Sequence, residues 1–223
     1  MFFPPFMMIF FLFFLVLLFF VFGLVQVGAI GFAFAKLGIP PENLFSILML
    51  CIFGSFVNIP IKKYELKEEH PMVFDRVRYF GIQFQPPKRE QKEMILAVNV
   101  GGAIIPSMLA LYLLFHIQHP FRALLALAIV TFVVHKMAKP IKGVGIATPL
   151  FIPPLVAALA ALYLNFHESA ATAYIAGTLG TLIGADLLNI DKIKVIGAPV
   201  ASIGGAGTFD GVFLTGIIAV LLA

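Results

Sequence analysis

Long apolar runs separated by short polar stretches predict a chain built mostly from helices. At 1.5 Å per residue, about 20 apolar residues cross the hydrocarbon core of a bilayer, which is ~30 Å thick. We predict seven such spans, at residues about 6–35, 44–59, 94–117, 121–137, 148–166, 170–190 and 202–223. The pattern therefore indicates an all-α, polytopic transmembrane helix bundle that forms a single domain over residues 1–223.

The sizeable polar stretch of the chain lies between the second and third predicted spans, at residues 61–93. Within it, residues 77–85 alternate apolar and polar positions, which is the pattern of a half-buried strand. Residues 61–66 are the candidate partner strand. We predict a small cytoplasmic β-hairpin here, acting either as an ordered connector or as a docking edge for a substrate.

Composition supports the membrane interpretation and excludes two other classes of protein. The chain is 61% hydrophobic and 12% charged, whereas an ordinary soluble domain is about 25% charged. So few charged residues cannot cover a water-exposed surface, and so apolar a chain is not disordered. The one cysteine, Cys51, excludes a disulfide framework and a cysteine-based zinc site. No metal or other cofactor is expected.

The distribution of basic residues predicts the orientation of the bundle. Thirteen of the 15 Lys and Arg residues fall in the loops after the second, fourth and sixth spans, and the other two, Lys36 and Arg122, lie on the opposite side. Cytoplasmic loops are enriched in Lys and Arg. We therefore predict a multi-pass protein of the cell membrane with a cytoplasmic N-terminus. The net charge of +4 reflects contact with the lipid bilayer rather than with nucleic acid, and the oligomeric state stays open.

Two carboxylates, Asp186 and Asp210, fall inside predicted spans, and the other nine acidic residues fall in loops or at span ends. An ionisable side chain at membrane depth costs at least ~2.5 kcal/mol, so such a residue calls for a functional explanation. Both aspartates are predicted to lie roughly 6–12 Å below the cytoplasmic face, at 1.5 Å per residue. The sixth and seventh spans are consecutive and antiparallel, so the two carboxyls are expected to face each other.

Paired carboxyls have a known chemistry. One stays protonated while the other is an anion, so the pair can activate water for attack on a peptide carbonyl. This chemistry predicts Asp186 and Asp210 as catalytic residues of an intramembrane aspartyl protease that cleaves transmembrane-helix substrates. Two alternatives stay open: a transporter or channel that uses the same aspartates as a cation or proton site, and a non-catalytic scaffold held by hydrogen bonds.

Small and polar residues surround the aspartates and recur where the third, fifth and seventh spans enter the membrane from the cytoplasmic side. Glycine lets a substrate backbone approach closely and allows non-helical backbone beside a cavity. Discontinuous helices of this kind also occur in transporters. The residues predicted to line the cavity or the substrate are Asn99, Thr148, Gly184, Gly205, Gly207, Thr208 and Gly211.

Two resemblances involve these segments. Residues 184–186 (Gly-Ala-Asp) and 204–211 (Gly-Gly-Ala-Gly-Thr-Phe-Asp-Gly) resemble an archaeal and bacterial family of polytopic membrane proteins of unknown function. More distantly, the chain resembles intramembrane aspartyl proteases of the presenilin and signal-peptide-peptidase type. Those proteases carry one Asp on the sixth helix and a second in a Gly-x-Gly-Asp motif on the seventh. The resemblance implies those roles for Asp186 and Asp210, although Ala185 replaces the usual Tyr.

Overall fold

A computed structural model describes residues 15–18, 23, 27–71, 77–79, 82–84, 90–141, 145–193, 200–205 and 211–223 of the chain. Most of the first predicted span lies outside these residues. Its described end is a helix at Val27–Lys36.

Eight helices make up most of the described chain. They are α1 (Val27–Lys36), α2 (Pro41–Ser55), α3 (Ile105–His116), α4 (Pro120–Met137), α5 (Ile152–Leu164), α6 (Ser169–Thr181), α7 (Ile190–Ile193) and α8 (Gly211–Leu222). Four of them, α2 to α5, have a proline in the first turn. Proline is stable there because its fixed φ suits a helix and the N–H that it lacks would be unpaired anyway.

Three stretches of helix depart from α geometry. A 3₁₀ turn at Phe166–Glu168 precedes α6. A π-helical segment at Val100–Ile104 precedes α3, and a second one at Leu182–Asp186 follows α6 and continues into a 3₁₀ turn at Leu187–Asn189. Single π turns inside helices are frequent at functional sites, so these segments direct attention to their neighbourhood.

A small three-stranded sheet lies beside the bundle. It contains β1 (Asn58–Pro71), β4 (Glu90–Asn99) and β7 (Val200–Ile203) in the order β1-β4-β7. Strands β1 and β4 are antiparallel, with Asn58 opposite Asn99, and β7 runs parallel to β4. Two further antiparallel pairs are β2 (Val77–Tyr79) with β3 (Ile82–Phe84), and β5 (Lys139–Ile141) with β6 (Gly145–Ala147).

The sheet corrects the all-α prediction and three of its details. Residues 94–99, predicted to open the third span, belong to β4, and residues 202–203, predicted to open the seventh, belong to β7. Within residues 61–66, Lys62–Glu65 pair with β4 rather than with residues 77–85, and in the latter range Val77–Tyr79 and Ile82–Phe84 pair with each other. A short, fully apolar run does not distinguish a buried strand from a helix, and Met94 in β4 is completely buried.

Helix α6 is the centre of the bundle, in contact with α3, α4, α5 and α8. Small residues allow its close packing. A Cβ atom on Gly180 would lie 2.8 Å from Val130 of α4, and one on Gly177 would lie 3.3 Å from Ala219 of α8. Because Gly177 meets Ala219 while Leu182 packs with Val212, α6 and α8 run antiparallel.

Two helical runs in the described part of the chain are long and apolar enough to cross a membrane. They are Pro120–Met137 and the continuous run Phe166–Lys192, whose apolar windows are 22% and 67% buried. Five further apolar helices are shorter than a full span.

Candidate functional site

Asp186 ends the π-helical segment that follows α6, and its side chain is half-buried. Its Oδ2 atom accepts a hydrogen bond of 2.8 Å from the backbone N–H of Gly204. Gly204 and Gly205, directly after β7, have φ angles of 78° and 87°. These angles lie in the left-handed region that glycine adopts without strain. The bond therefore ties the end of the α6 region to a tight turn that leads toward α8.

A buried amide holds the turn that carries Asp186. Asn189 is only 1% exposed, and its Nδ2 atom donates to the carbonyl oxygens of Gly184 at 2.8 Å and Ala185 at 2.9 Å. The same nitrogen lies 3.3 Å from Nδ1 of His135 on α4. Carbonyls near the end of a helix lack regular partners within the helix, and this side chain supplies donors for two of them. Asn189 thereby fixes the backbone directly before Asp186.

Asn189 is not among the residues that the sequence pattern predicts for the site. The available signal was a strongly polar residue at the end of an apolar run, close to Asp186. Buried amides are nearly always hydrogen-bonded, so such a residue predicts local carbonyl or N–H partners.

Asn99 plays the corresponding part at the other π-helical segment. It is 1% exposed, and its Oδ1 accepts from the N–H of Gly102 at 2.7 Å, which caps the segment. Its Nδ2 donates to the carbonyl of Ser55 at 2.7 Å and to Oδ1 of Asn58 at 3.1 Å. Asn58 also accepts a hydrogen bond from the Ser202 hydroxyl. The amide of Asn99, predicted to line a cavity, thus joins α2, β1 and the start of α3.

The glycine-containing segments that precede α3 and α8 in the chain are in direct contact. A side chain on Gly102 would collide with the carbonyl oxygen of Gly204, and a Cβ atom on Gly204 would lie 2.5 Å from that of Ala103. The backbone of Gly204 is therefore enclosed. Its N–H donates a hydrogen bond to the Asp186 carboxylate, and Gly102 packs against its carbonyl oxygen. Glycine is needed at both positions because only it leaves room for this approach.

The remaining predicted lining residues occupy different surroundings. Gly184 packs against α4, where a Cβ atom would lie 2.6 Å from the Thr131 carbonyl, so it closes a helix contact rather than lining an opening. Thr148 is half-buried directly after β6. Gly211 begins α8, and a Cβ atom there would meet no atom of the described residues within 4 Å.

Asp210, Gly207 and Thr208 lie outside the described residues. The elements on either side of them do meet the Asp186 region. Leu182, one turn before Asp186, shares a buried apolar cluster with Val212 of α8 and Ile203 of β7. Within the described ranges, no group of three or more His, Cys, Asp or Glu residues is placed to hold a metal ion.

No curated protein and no solved structure matches the chain. The resemblance to presenilin-type proteases has no support from the comparisons. A family model described as "Protein of unknown function (DUF1614)" matches residues 52–222, which include every residue of the candidate site. The predicted resemblance to a family of unknown function is confirmed, and the chain belongs to the DUF1614 family.

Proposed function

We propose that the protein is a multi-pass membrane protein with a cytoplasmic N-terminus, and that it hydrolyses peptide bonds with Asp186 and Asp210. The exposed apolar surface supports the location. Phe121 and Phe132 of α4 are 70% and 62% exposed, and large apolar side chains of α2, α3 and α5 are exposed as well. A soluble monomer rarely leaves so many large apolar side chains in water, whereas lipid tails cover them without cost.

One observation carries the catalytic proposal. The Asp186 carboxylate is bonded to Gly204, which begins the glycine-rich segment that leads to Asp210. Leu182, one turn before Asp186, and Val212, two residues after Asp210, belong to the same buried apolar cluster. The α6 region and α8 therefore meet close to both aspartates in the chain. This arrangement supports a carboxyl pair formed between the end of the α6 region and the glycine-rich segment before α8.

The proposed reaction needs only this pair and water. The ionised carboxylate takes a proton from a water molecule as the water oxygen bonds to the peptide carbonyl carbon, and the neutral carboxyl protonates the carbonyl oxygen. The tetrahedral diol then collapses, the C–N bond breaks, and the leaving nitrogen takes a proton from the pair. Which aspartate begins as the acid is a property of the coupled pair.

A cleavage assay tests this proposal. Detergent-purified protein is incubated with a fluorogenic transmembrane-helix peptide, and product is measured by mass spectrometry. Asp186→Asn and Asp210→Asn should each lower the rate by at least ~10²-fold, the range expected for loss of an acid–base group. The matched control is Asp191→Asn, because Asp191 is an exposed aspartate on α7 near the same end of the bundle. Cleavage that survives either of the first two changes would sink the proposal.

A cation or proton pathway is the second candidate function, and one observation favours it. Among the described residues, three buried oxygens on the segments around Asp186 have no hydrogen-bond partner within the protein. Thr181 Oγ1 and Asn189 Oδ1 lie within five residues of Asp186 in the chain, and Thr131 Oγ1 belongs to a residue whose backbone packs on Gly184. Neutral oxygens and carboxylate oxygens are the ligands that hard cations prefer. Buried polar groups are otherwise nearly always paired.

Proteoliposomes discriminate between the two functions. A transporter predicts sodium or proton uptake that falls sharply in both Asp186→Asn and Thr181→Val, while Asp191→Asn keeps the wild-type flux. A protease predicts peptide cleavage with no such flux. Uptake that is equal in wild-type and Asp186→Asn vesicles would eliminate transport through this site.

A further inference from the structure

A cleft of about 510 Å³ opens at the end of the bundle opposite Asp186. It lies where α1 and α3 end and α6 begins, with Lys36, His116 and Ser169 among its lining residues. Sites for small organic ligands measure ~300–1,000 Å³, so this cleft is large enough for a lipid headgroup.

Three basic side chains line the cleft: Lys36, His116 and His167. Lys36 donates one N–H to the Val220 carbonyl at 3.2 Å, and its ammonium carries three donors. The Nδ1–H of His116 donates to the Tyr112 carbonyl at 2.7 Å, so Nε2 can donate to an anion in the ring form that carries both protons. The wall of the cleft can therefore offer several donors to one anion.

Glu168 is the acidic residue in this wall, and its carboxylate is occupied. Oε1 accepts from the Gln118 N–H at 2.8 Å, and Oε2 lies 3.3 Å from both the His119 N–H and the Asn165 amide. Burial acts to raise the pKa of Glu168, but these donors together with the charge of His119 outweigh burial and lower it. The carboxylate is thus committed to the α3–α4 turn rather than to the basic side chains.

The surroundings of the cleft are those of a membrane interface. Its apolar wall contains Leu37, Leu113 and Ile117. Nearby on the outer surface, Phe115 is 81% exposed and Tyr163 is 89% exposed. Exposed aromatic side chains near the ends of helices are typical of the level of the lipid headgroups.

We propose that this cleft binds an anionic phospholipid, with the headgroup phosphate at Lys36, His116 and His167 and one acyl chain on the Leu37–Leu113–Ile117 wall. The site rests on the proposed membrane location, but it is independent of Asp186 and Asp210. A phosphate diester matches the donors, since it accepts charge-assisted hydrogen bonds from ammonium and imidazolium groups.

Native mass spectrometry of the detergent-purified full chain tests the site. The protein is titrated with phosphatidylglycerol and, separately, with phosphatidylcholine. The double variant His116→Ala/His167→Ala should retain about fivefold less phosphatidylglycerol, because two charge-assisted contacts are removed. Both histidines are exposed, so the fold should survive the change. The control His119→Ala/Arg122→Ala removes two basic side chains at the same end that do not line the cleft, and it should match the wild type.

Two results of the lipid titration would overturn the proposal: a cleft variant that retains as much phosphatidylglycerol as the wild type, or equal retention of phosphatidylcholine and phosphatidylglycerol. A melting experiment separates lipid from free anion. Phosphatidylglycerol should raise the melting temperature, and inorganic phosphate at the same concentration should leave it unchanged. Equal protection by inorganic phosphate would mean an anion site without lipid and would reject the assignment. Peptide cleavage is not measured here, so a failed protease proposal leaves this test intact.

Discussion

The carboxylate of Asp186 and the backbone N–H of Gly204 are joined by a hydrogen bond of 2.8 Å. The bond connects the π-helical end of the α6 region to the turn after β7. Gly204 is buried, and a buried N–H without a hydrogen-bond partner is energetically costly, so the Asp186 carboxylate supplies the acceptor that this N–H requires. Asp186 therefore has a structural role in addition to any chemistry that it performs.

That double role can be separated by two substitutions. Asp186→Asn keeps an oxygen that accepts the Gly204 N–H, whereas Asp186→Ala leaves that buried donor unpaired. We expect Asp186→Ala to lower the free energy of unfolding by about 1–3 kcal/mol and Asp186→Asn to lower it less. Thermal unfolding in detergent measures both, with Asp191→Ala as the control. An Asn variant as unstable as the Ala variant would show that the hydrogen bond contributes little.

Asn189 is expected to be required for the geometry of Asp186. Asn189→Leu keeps a similar volume but leaves the carbonyls of Gly184 and Ala185 without their side-chain donor. The expected loss of stability is about 1–3 kcal/mol, the cost of unpaired buried polar groups. Leu188→Ala is the comparison, because Leu188 is 53% exposed on the same turn. If both variants melt at the same temperature, the amide does not support this turn.

The contact between Gly102 and Gly204 predicts that alanine destabilises the protein at these two positions but not at Gly211. Gly102→Ala would collide with the Gly204 carbonyl, and Gly204→Ala would meet Ala103 and force a side chain into a left-handed conformation. Overpacking of this kind costs about 1–3 kcal/mol. Gly211→Ala should be neutral or slightly stabilising, since its Cβ position is open and alanine favours a helix. Unfolding midpoints of the three variants check the order.

Glu168 is expected to make stability depend on acid pH. Its folded pKa is lowered below the usual 4.5, so its contribution is present above that value and is lost as pH falls through the folded pKa. Glu168→Gln should therefore be less stable than wild type at pH 7, and the difference should shrink on acidification. Melting temperatures of both proteins from pH 7 to pH 3 test this. A difference that grows toward acid pH would contradict the sign.

Some of these relationships follow from local sequence and others do not. The apolar run at residues 121–137 is a helix in the structure, with Pro120 at its start, because hydropathy and proline act within one segment. The run at residues 94–98 is also apolar but forms a strand, because β1 and β7 supply partners on both sides. An apolar run predicts that a segment is buried, but it does not indicate whether the segment packs as a helix or pairs with a strand.

The sequence by itself determined that the chain is apolar and mostly helical, and that Asp186 is an expensive residue set among glycines. These properties follow from composition and from the spacing of residues along one segment. Only the tertiary structure decided that the Asp186 carboxylate meets the N–H of Gly204 and that Gly102 packs against the Gly204 carbonyl. These contacts join distant segments, and their geometry depends on how α6, α8 and the sheet pack together.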